Sequence, residues 1–352
     1  MRLMIGVSHP KHVLIFKNLV QSLIAEGNDV LVVAVDKDIT LYLLSKFNIP
    51  YIVIGKNQKG LLRKLLYIPW WVYLTFKSAK RFKPDIFVGR AIPHIAYVSW
   101  LFKKPFIIFE DTEIATAVHK ITFPFAKMIV TPSSYQDNLG EKHVKFKGFF
   151  EQCYLHTSYF EPDSSVLQEL NIKENECIIL VRFVSWNASH DINDSGFSNK
   201  IDLINSLINY GKVIISSEDK LPTELETYCF NLPYEKMHHL MFYSTLFLGE
   251  SATMGAECAM LGVPSIFVST SRRGYTDILE SQYGLLYNFS GGSESQKFAL
   301  EKAISILSDY QNSVEWKNKM KYMVDDTIDV NKFMVQLIQD VFRESFNDCS
   351  HK

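Results

Sequence analysis

Residues 249–267 read GESATMGAECAMLGVPSIF, and this stretch decides the fold because it joins two buried strands through one short helix. Residues 246–248 before it and residues 265–268 at its end are apolar throughout, as the strands of a parallel sheet are. Ser251 is a residue type that caps helices, and the Leu-Gly-Val-Pro at 261–264 is typical of a helix end. The stretch therefore predicts a strand, a helix and a second parallel strand.

The start of this helix is a candidate phosphate site. Free backbone amides at a helix start point outward, and the helix dipole favours an anion there. Glu257 follows Ser251 by six residues, so its carboxylate is placed to accept hydrogen bonds from ribose hydroxyls beyond the phosphates. An ordinary capped helix start is the alternative interpretation. The residues predicted to contact the nucleotide at this turn are Glu250, Ser251, Ala252, Thr253, Met254 and Gly255.

Composition limits the class of protein. A chain of 352 residues with 47 % hydrophobic residues suits two globular domains. The net charge of -1 gives no overall field for nucleic acid, so we expect no nucleic-acid partner. Five dispersed cysteines without CxxC spacing argue against a disulfide framework or a zinc site, and no Asp-x-Asp supports another metal. We expect no metal, and the short apolar amino terminus favours the cytoplasm.

Strand-like and helix-like patterns alternate along the chain. Short β-rich runs separated by helical periodicity predict an α/β fold with parallel sheets covered on both faces. The pattern lapses after residue 148 and restarts at residue 177, so we expect two doubly wound, Rossmann-like domains that face a central cleft. The predicted boundaries are 1–150 for an acceptor-side domain, 151–164 for a linker, 165–329 for a nucleotide-sugar domain, and 330–352 for a helix that packs on or bridges the domains.

In the first half, charged residues follow the ends of predicted strands, where open α/β sheets bind ligands. Glu110 and Asp111 are candidate general bases, because crowding and partial burial would raise a carboxyl pKa. The alternative is an acidic cluster at a helix start. Arg90 ends another strand and is expected to pair with one of these carboxylates. The further residues predicted to line the cleft are His9, Lys11 and His12, although a capping turn explains the histidines equally well.

In the second half, a polar loop follows the strand at 177–184. His190 is a candidate for protonating a leaving oxygen or binding a phosphate, and an Asx-type turn is the alternative. Two neighbouring guanidinium groups after the strand at 265–268 suit a diphosphate, although exposed arginines are also common. The further residues predicted to contact the nucleotide are Arg182, Asn187, Asp191, Arg272 and Arg273.

Residues 61–83 read LLRKLLYIPWWVYLTFKSAKRFK and join an apolar, aromatic run to many cations. The run is too short to span a bilayer, but a helix of this composition suits the headgroup region. The alternative is a domain helix whose Trp70, Trp71 and Tyr73 pack on the sheet. We therefore consider a peripheral contact at the inner face of the membrane.

The whole chain resembles the domain of unknown function 354 family, and more broadly the GT-B architecture of glycosyltransferases and UDP-GlcNAc 2-epimerase. The residues that carry the resemblance are SHPKH at 8–12, YLH at 154–156, LVRFVSWNASHD at 180–191, and the GES turn at 249–251. Against the epimerase, Ser251 and Glu257 keep their spacing and Glu110 falls on a catalytic glutamate. Arg90 and the neutral residues 115–118 stand where that enzyme has further acids.

The resemblance implies a metal-independent glycosyltransferase with a nucleotide-sugar co-substrate, preferably a UDP-sugar, and no tightly bound cofactor. The acceptor would be a sugar or a lipid-linked sugar in surface polysaccharide or glycolipid assembly. Such a transferase needs a held nucleotide, neutralised leaving charge and one base. An epimerase that uses the same nucleotide site is the second hypothesis, and a non-catalytic sugar-nucleotide sensor or partner subunit is the third.

Overall fold

The structure is a computed structural model, and it describes residues 1–352 except 59, 186–195, 231, 310–312 and 351–352. Within it the chain divides into two compact units. Unit 1 comprises residues 1–154 and 328–352, and unit 2 comprises residues 155–327. The predicted domain boundaries stay predictions, and each unit is described separately below.

Unit 1 contains a parallel sheet of seven strands in the order β3-β2-β1-β4-β5-β6-β7. The strands are β1 (Arg2–Val7), β2 (Asp29–Asp36), β3 (Tyr51–Lys56), β4 (Ile86–Gly89), β5 (Phe106–Phe109), β6 (Met128–Pro132) and β7 (His143–Phe146). The central strands β1, β4 and β5 are buried almost throughout, as strands covered on both faces must be.

Helices cover this sheet. They are α1 (Pro10–Ala25), α2 (Thr40–Lys46), α3 (Leu61–Phe82), α4 (Pro93–Leu101), α5 (Thr116–Thr122), α6 (Gln152–Leu155), which reaches the boundary with unit 2, and the last helix of the chain, Val330–Ser350. The first of them forms where the apolar spacing predicted it. His9 caps its start by accepting a hydrogen bond from the Lys11 amide, and Gly27 follows its end with a φ of 81° that suits glycine.

Unit 2 contains a parallel sheet of five strands in the order β12-β11-β10-β8-β9. The strands are β8 (Ile178–Phe183), β9 (Lys212–Ser217), β10 (Leu246–Gly249), β11 (Ser265–Val268) and β12 (Leu286–Phe289). The helices are α7 (Ser165–Glu169), α8 (Lys200–Leu207), α9 (Thr223–Glu226), α10 (Met237–Tyr243), α11 (Ala252–Met260), α12 (Gly274–Ser281), α13 (Ser293–Ser308) and α14 (Ser313–Asp326), so that Val330–Ser350 is α15. The strand, helix and strand predicted from residues 246–268 are β10, α11 and β11.

The prediction of an α/β fold with two parallel sheets is confirmed. The sequence analysis missed two edge strands, β7 and β12. Their sequences, HVKF and LYNF, are short, and polar residues interrupt them. Such runs carry little of the continuous apolar signal that marks a strand buried on both faces.

Helix α3 packs only some of its aromatic side chains on the sheet. Trp71 lies in the core of unit 1, but Trp70 and Tyr73 are exposed. The interpretation in which all three pack on the sheet is therefore wrong for Trp70 and Tyr73. No helix in the described part of the chain is apolar over the length that crossing a membrane requires.

Residues 148–155, which the sequence analysis placed at the start of a connection, are largely buried in unit 1. Phe150, Cys153 and Tyr154 are core residues, and Gly148 approaches Val330 of α15. Asn331 donates a hydrogen bond of 2.7 Å to the carbonyl of Cys153. This segment therefore packs against the start of α15 within unit 1.

Candidate functional site

The strand order of each sheet places one candidate site in each unit. In a doubly wound sheet, ligands bind where neighbouring strands send their following helices to opposite faces. That switch lies between β1 and β4 in unit 1, and between β8 and β10 in unit 2. The predicted residues around Arg90 and Ser251 follow β4 and β10, so they lie at the two switch points.

In unit 2, the chain turns sharply from β10 into α11. A Cβ atom on Gly249 would lie 2.8 Å from the Arg182 carbonyl oxygen, so this position requires glycine. Ser251 is extended, and its hydroxyl accepts a hydrogen bond of 3.3 Å from the Met254 amide. The amides of Ala252 and Thr253 have no acceptor within the described ranges, and the first turn is half-buried rather than sealed. These two amides are suitable anion donors.

Two buried glutamates flank this turn. Glu257 lies on α11, and His238 Nε2 is 3.2 Å from its Oε1. Glu250 accepts hydrogen bonds from the Val184 amide at 2.9 Å and the Phe197 amide at 2.6 Å. Glu250 therefore holds the two ends of the loop after β8, whereas the ribose contact of Glu257 stays a prediction. His238 was missed because it lies 19 residues before Glu257.

The three predicted arginines of unit 2 differ in their surroundings. Arg182 donates to Ser216 Oγ at 2.6 Å and forms an ion pair with Glu218. Arg272 is exposed and is paired with two carboxylates of α12, Asp277 at 2.7 Å and Glu280 at 3.0 Å. Arg273 occupies the N-cap position of the same helix without a side-chain capping bond, and its guanidinium donates to Ser271 Oγ. Arg272 would have to leave its carboxylates to bind a diphosphate, and the role of either arginine there stays a prediction.

A depression of about 350 Å³ lies at the carboxyl end of β9, beside Arg182. Serine hydroxyls, aliphatic side chains and the ring of Phe230 line it, together with the charged residues Asp219, Lys220 and Glu226. A planar base with polar edges suits such a lining. This depression was not predicted, because most of its lining residues come from a loop and short helices between residues 219 and 237 rather than from one motif.

In unit 1, Arg90 is buried between two carboxylates, as the sequence predicted. Its Nη2 donates to Glu110 Oε1 at 2.6 Å and to Asp111 Oδ1, and its guanidinium lies 5.2 Å from the ring centre of Phe150. Glu110 Oε1 also accepts the amides of Asp111 and Thr112, both at 3.1 Å. Several hydrogen-bond donors thus stabilise the two carboxylates, rather than leaving them to repel each other.

This arrangement corrects the expectation that Asp111 has a raised pKa. Burial alone would raise it, but Arg90 and Lys11 together hold the pKa of Asp111 well below its usual range. Asp111 is therefore a stable anion and a weak proton acceptor. Its predicted role as a general base is not supported by this geometry.

Lys11 extends the cluster to a carboxylate that the sequence did not single out. Lys11 Nζ lies 2.8 Å from Glu151 and 3.4 Å from Asp111. His12 Nδ1 accepts a hydrogen bond from the Ser8 amide, and burial together with Arg90 holds the pKa of His12 well below 6.5. Its imidazole is therefore neutral near pH 7. Lys11 thus pairs with two carboxylates of the cluster, and the neutral His12 adds no charge to it.

His119 is the main residue that the sequence analysis missed. It follows the neutral residues 115–118, and its ring stacks on Phe123 with 4.3 Å between ring centres. Its Nε2 lies 4.0 Å from Glu110 Oε2. Burial lowers the pKa of His119, and the Glu110 carboxylate offsets part of that effect. A neutral imidazole beside a carboxylate is a competent proton acceptor.

Three buried polar atoms in this part of unit 1 have no hydrogen-bond partner among the described residues: Arg90 Nη1, His119 Nε2 and Tyr135 Oη. Burial and neighbouring carboxylates, Glu110 among them, hold the pKa of Tyr135 above its usual range. Buried polar groups normally have partners, and a group of exceptions at a switch point indicates that a ligand or water completes them.

Asn187, His190 and Asp191 lie outside the described residues, so their predicted roles stay predictions. Within the described ranges, no three His, Cys, Asp or Glu side chains come together in a way that could hold a metal ion.

Comparison with solved structures shows the fold. UDP-GlcNAc 2-epimerase from Neisseria meningitidis, bound to UDP-GlcNAc, is similar with a TM-score of 0.70 and 11 % identity, over 97 % of this chain and 100 % of that one. MurG of Acinetobacter baumannii is similar with a TM-score of 0.59 and 16 % identity, over 96 % and 99 %. HepE of Anabaena, in complex with UDP, is similar with a TM-score of 0.61 and 13 % identity, over 97 % and 100 %. The chain has the GT-B fold, as predicted.

Comparison of sequences identifies a related protein and a family. An uncharacterised protein of Methanocaldococcus jannaschii is 23 % identical over 272 residues, which cover 74 % of this chain and 80 % of that protein. The family model described as "Protein of unknown function (DUF354)" matches residues 1–330, so the chain belongs to this family.

Proposed function

We propose that this protein is a glycosyltransferase that takes a sugar from a UDP-sugar donor without a metal ion, in the assembly of surface polysaccharide or glycolipid. The observation that carries the proposal is the start of α11, where the amides of Ala252 and Thr253 lie at the switch point of the sheet without acceptors in the described part of the chain. The epimerase from Neisseria meningitidis and HepE of Anabaena, which have the same fold, were solved with UDP-GlcNAc and with UDP, and this supports a nucleotide-sugar ligand.

Unit 2 holds the donor in this proposal. The start of α11 binds the diphosphate, Glu257 binds ribose, and the depression beside Arg182 receives the base. Arg272 or Arg273 offsets the negative charge that develops on the leaving diphosphate. Asn187, His190 and Asp191 are the further predicted contacts, and the role predicted for His190 is to protonate or bind a leaving oxygen. No tightly bound cofactor takes part.

Unit 1 supplies the group that accepts a proton from the acceptor hydroxyl. Glu110 Oε1 is occupied by three donors, and Asp111 is held as an anion by Arg90 and Lys11. We therefore assign proton acceptance to His119, and the Glu110 carboxylate stabilises the imidazolium that forms. Arg90 Nη1 is a further donor for the acceptor. This acceptor is a sugar or a lipid-linked sugar at the cytoplasmic face of the membrane.

Replacement of one backbone amide tests the donor site. Ala252 is the first residue of α11, where proline fits, and Ser251 before it is extended, as a residue before proline must be. An Ala252→Pro variant should fold normally but lose one charge-assisted hydrogen bond to phosphate, worth about 1.5–3 kcal/mol. We expect UDP to bind about 10–150 times more weakly by calorimetry.

The control is Ala252→Ser, which keeps the amide and should keep the affinity. UDP, GDP and CDP are compared by thermal shift on the unaltered protein, since a saturating ligand raises the melting temperature. A UDP shift that both variants retain would place the nucleotide elsewhere, and a shift with GDP alone would exclude a uridine donor.

An epimerase acting on UDP-GlcNAc is the second candidate. It is favoured by Glu151, which adds a third carboxylate to the cluster where the sequence analysis counted lost acids. Incubation with UDP-GlcNAc alone, followed by chromatography of the sugars, separates the two functions. The transferase should leave UDP-GlcNAc unchanged over the time in which it turns over with an acceptor, whereas formation of a 2-epimer or rapid release of free sugar would establish the alternative.

A further inference from the structure

Helix α3 carries apolar side chains on its exposed side as well as on its buried side. The residues that it buries include the polar Thr75 and Ser78, and Thr75 Oγ1 lies 3.1 Å from Nδ1 of the buried His94. On the opposite side, Leu66 is 77 % exposed and Trp70 is 53 % exposed. A helix that only covers a sheet buries its apolar stripe, so the exposed side of α3 calls for a partner.

The exposed apolar surface continues onto α4. Phe76 of α3 contacts Phe102, which directly follows α4, with 5.3 Å between ring centres. The two residues before Phe102 are Trp100, 62 % exposed, and Leu101, 51 % exposed. We call the combined surface the aromatic patch. It consists of Leu65, Leu66, Tyr67, Trp70, Tyr73, Phe76, Trp100 and Leu101.

Cations border the aromatic patch. Residues 61–83 contain no aspartate or glutamate, and α3 has exposed cations at both ends. Across the described residues, none of these border cations forms an ion pair with a carboxylate. They are Arg63, Lys77, Lys80, Arg81, Lys83, Lys103 and Lys104. The surface is therefore apolar and aromatic in the middle and positive at its border.

This charge pattern complements one occupant in particular. An anionic bilayer surface offers negative headgroups above an apolar interior, and Trp and Tyr favour the boundary between the two. Lysines and arginines near such a surface add attraction that salt weakens. A second protein would normally supply carboxylates for these cations and would cover them only in part. The aromatic patch fits the headgroup region of a bilayer without any helix crossing it.

We propose that unit 1 docks on an anionic phospholipid bilayer through the aromatic patch, with α3 lying in the plane of the headgroups. This inference does not depend on the sugar donor. In combination with the proposed function, it would bring a lipid-linked acceptor to the enzyme along the membrane surface.

Vesicle sedimentation of the full-length protein tests the proposal. We expect binding to vesicles that contain about one third phosphatidylglycerol, weaker binding to pure phosphatidylcholine, and loss of binding in high salt. A Leu66→Ser/Trp70→Ser variant should bind the anionic vesicles at least about ten times more weakly, because both side chains enter the apolar layer. A Lys77→Glu/Lys80→Glu variant should show a loss of similar size for the anionic vesicles only.

The matched control is a Phe298→Ser/Tyr322→Ser variant, which removes two exposed aromatic residues of unit 2 and should bind as the unaltered protein does. Melting temperatures establish that all variants are folded. The proposal fails if the unaltered protein ignores anionic vesicles, or if the patch variant binds them equally well. It also fails if light scattering shows that the patch variant has only changed the oligomeric state, because the patch would then contact a second copy.

Discussion

An Arg90→Met variant is expected to lose about 3–5 kcal/mol of free energy of unfolding at neutral pH, the largest effect of any single replacement proposed for this protein. Arg90 lies between Glu110 and Asp111, and all three side chains are buried. Methionine fills a similar volume but leaves two adjacent carboxylates without their shared cation. Lys11, 3.4 Å from Asp111, is too distant to replace both contacts.

The free energy of unfolding that Arg90→Met loses should depend on pH. In the unaltered protein the pKa of Asp111 is depressed, so its stabilisation is present above the usual value of about 3.9 and is lost as the pH falls through the lower value of the folded state. Without Arg90, burial dominates and raises the carboxyl pKa. The deficit of Arg90→Met should therefore grow as the pH rises from 5 to 8.

Urea unfolding at pH 5 and pH 8 measures both effects. The control is Arg343→Met, which removes an exposed arginine of α15 that is paired with Asp340, and it should change the free energy of unfolding by less than about 0.5 kcal/mol. Arg90→Lys should fall between the two. A deficit below 1 kcal/mol with no change between the two pH values would show that the carboxylates do not depend on Arg90.

A His119→Gln variant is expected to lower turnover by about 10²–10⁴-fold while it leaves UDP affinity unchanged. Glutamine keeps the approximate size and a polar end but cannot take up a proton. The lowered pKa of His119 means that its neutral form is present at pH 7, so the rate of the unaltered enzyme should fall only as the solution becomes acidic. The variant should lack this fall.

The measurement is UDP release from the UDP-sugar that gives the largest thermal shift, with a membrane lipid extract as acceptor, between pH 5 and pH 8. His143→Gln is the matched control, because both nitrogens of His143 are already bonded, to Thr131 at 2.8 Å and to the Leu139 amide at 3.2 Å. If His119→Gln retains full turnover or the same acid limb, Glu110 must accept the proton itself.

Several parts of this arrangement could be predicted from sequence because they depend on local patterns. Residues 246–260 combine a strand, a capping serine and a helix, and the structure shows each of them. The contact between Arg90 and the two acids also followed from a simple rule, since both segments end adjacent parallel strands.

The remainder depends on contacts between distant segments. Glu151 reaches Lys11 only because residues 148–154 are buried within unit 1, and no sequence periodicity marks that segment. His119 faces Glu110 because α5 turns back toward the end of β5, which a list of residue types does not show. The pKa of Asp111 was predicted in the wrong direction because Arg90 and Lys11 together outweigh the effect of burial.

Glu250 joins the amides of Val184 and Phe197, which are 13 positions apart in the chain, through a single carboxylate. The chain between these two amides is therefore closed by hydrogen bonds to one side chain. The entropic cost of closing a segment rises only slowly with its length, so insertions or deletions between residues 184 and 197 should cost little free energy as long as Glu250 keeps both bonds. The length of this segment can thus change without disturbing the strand before it.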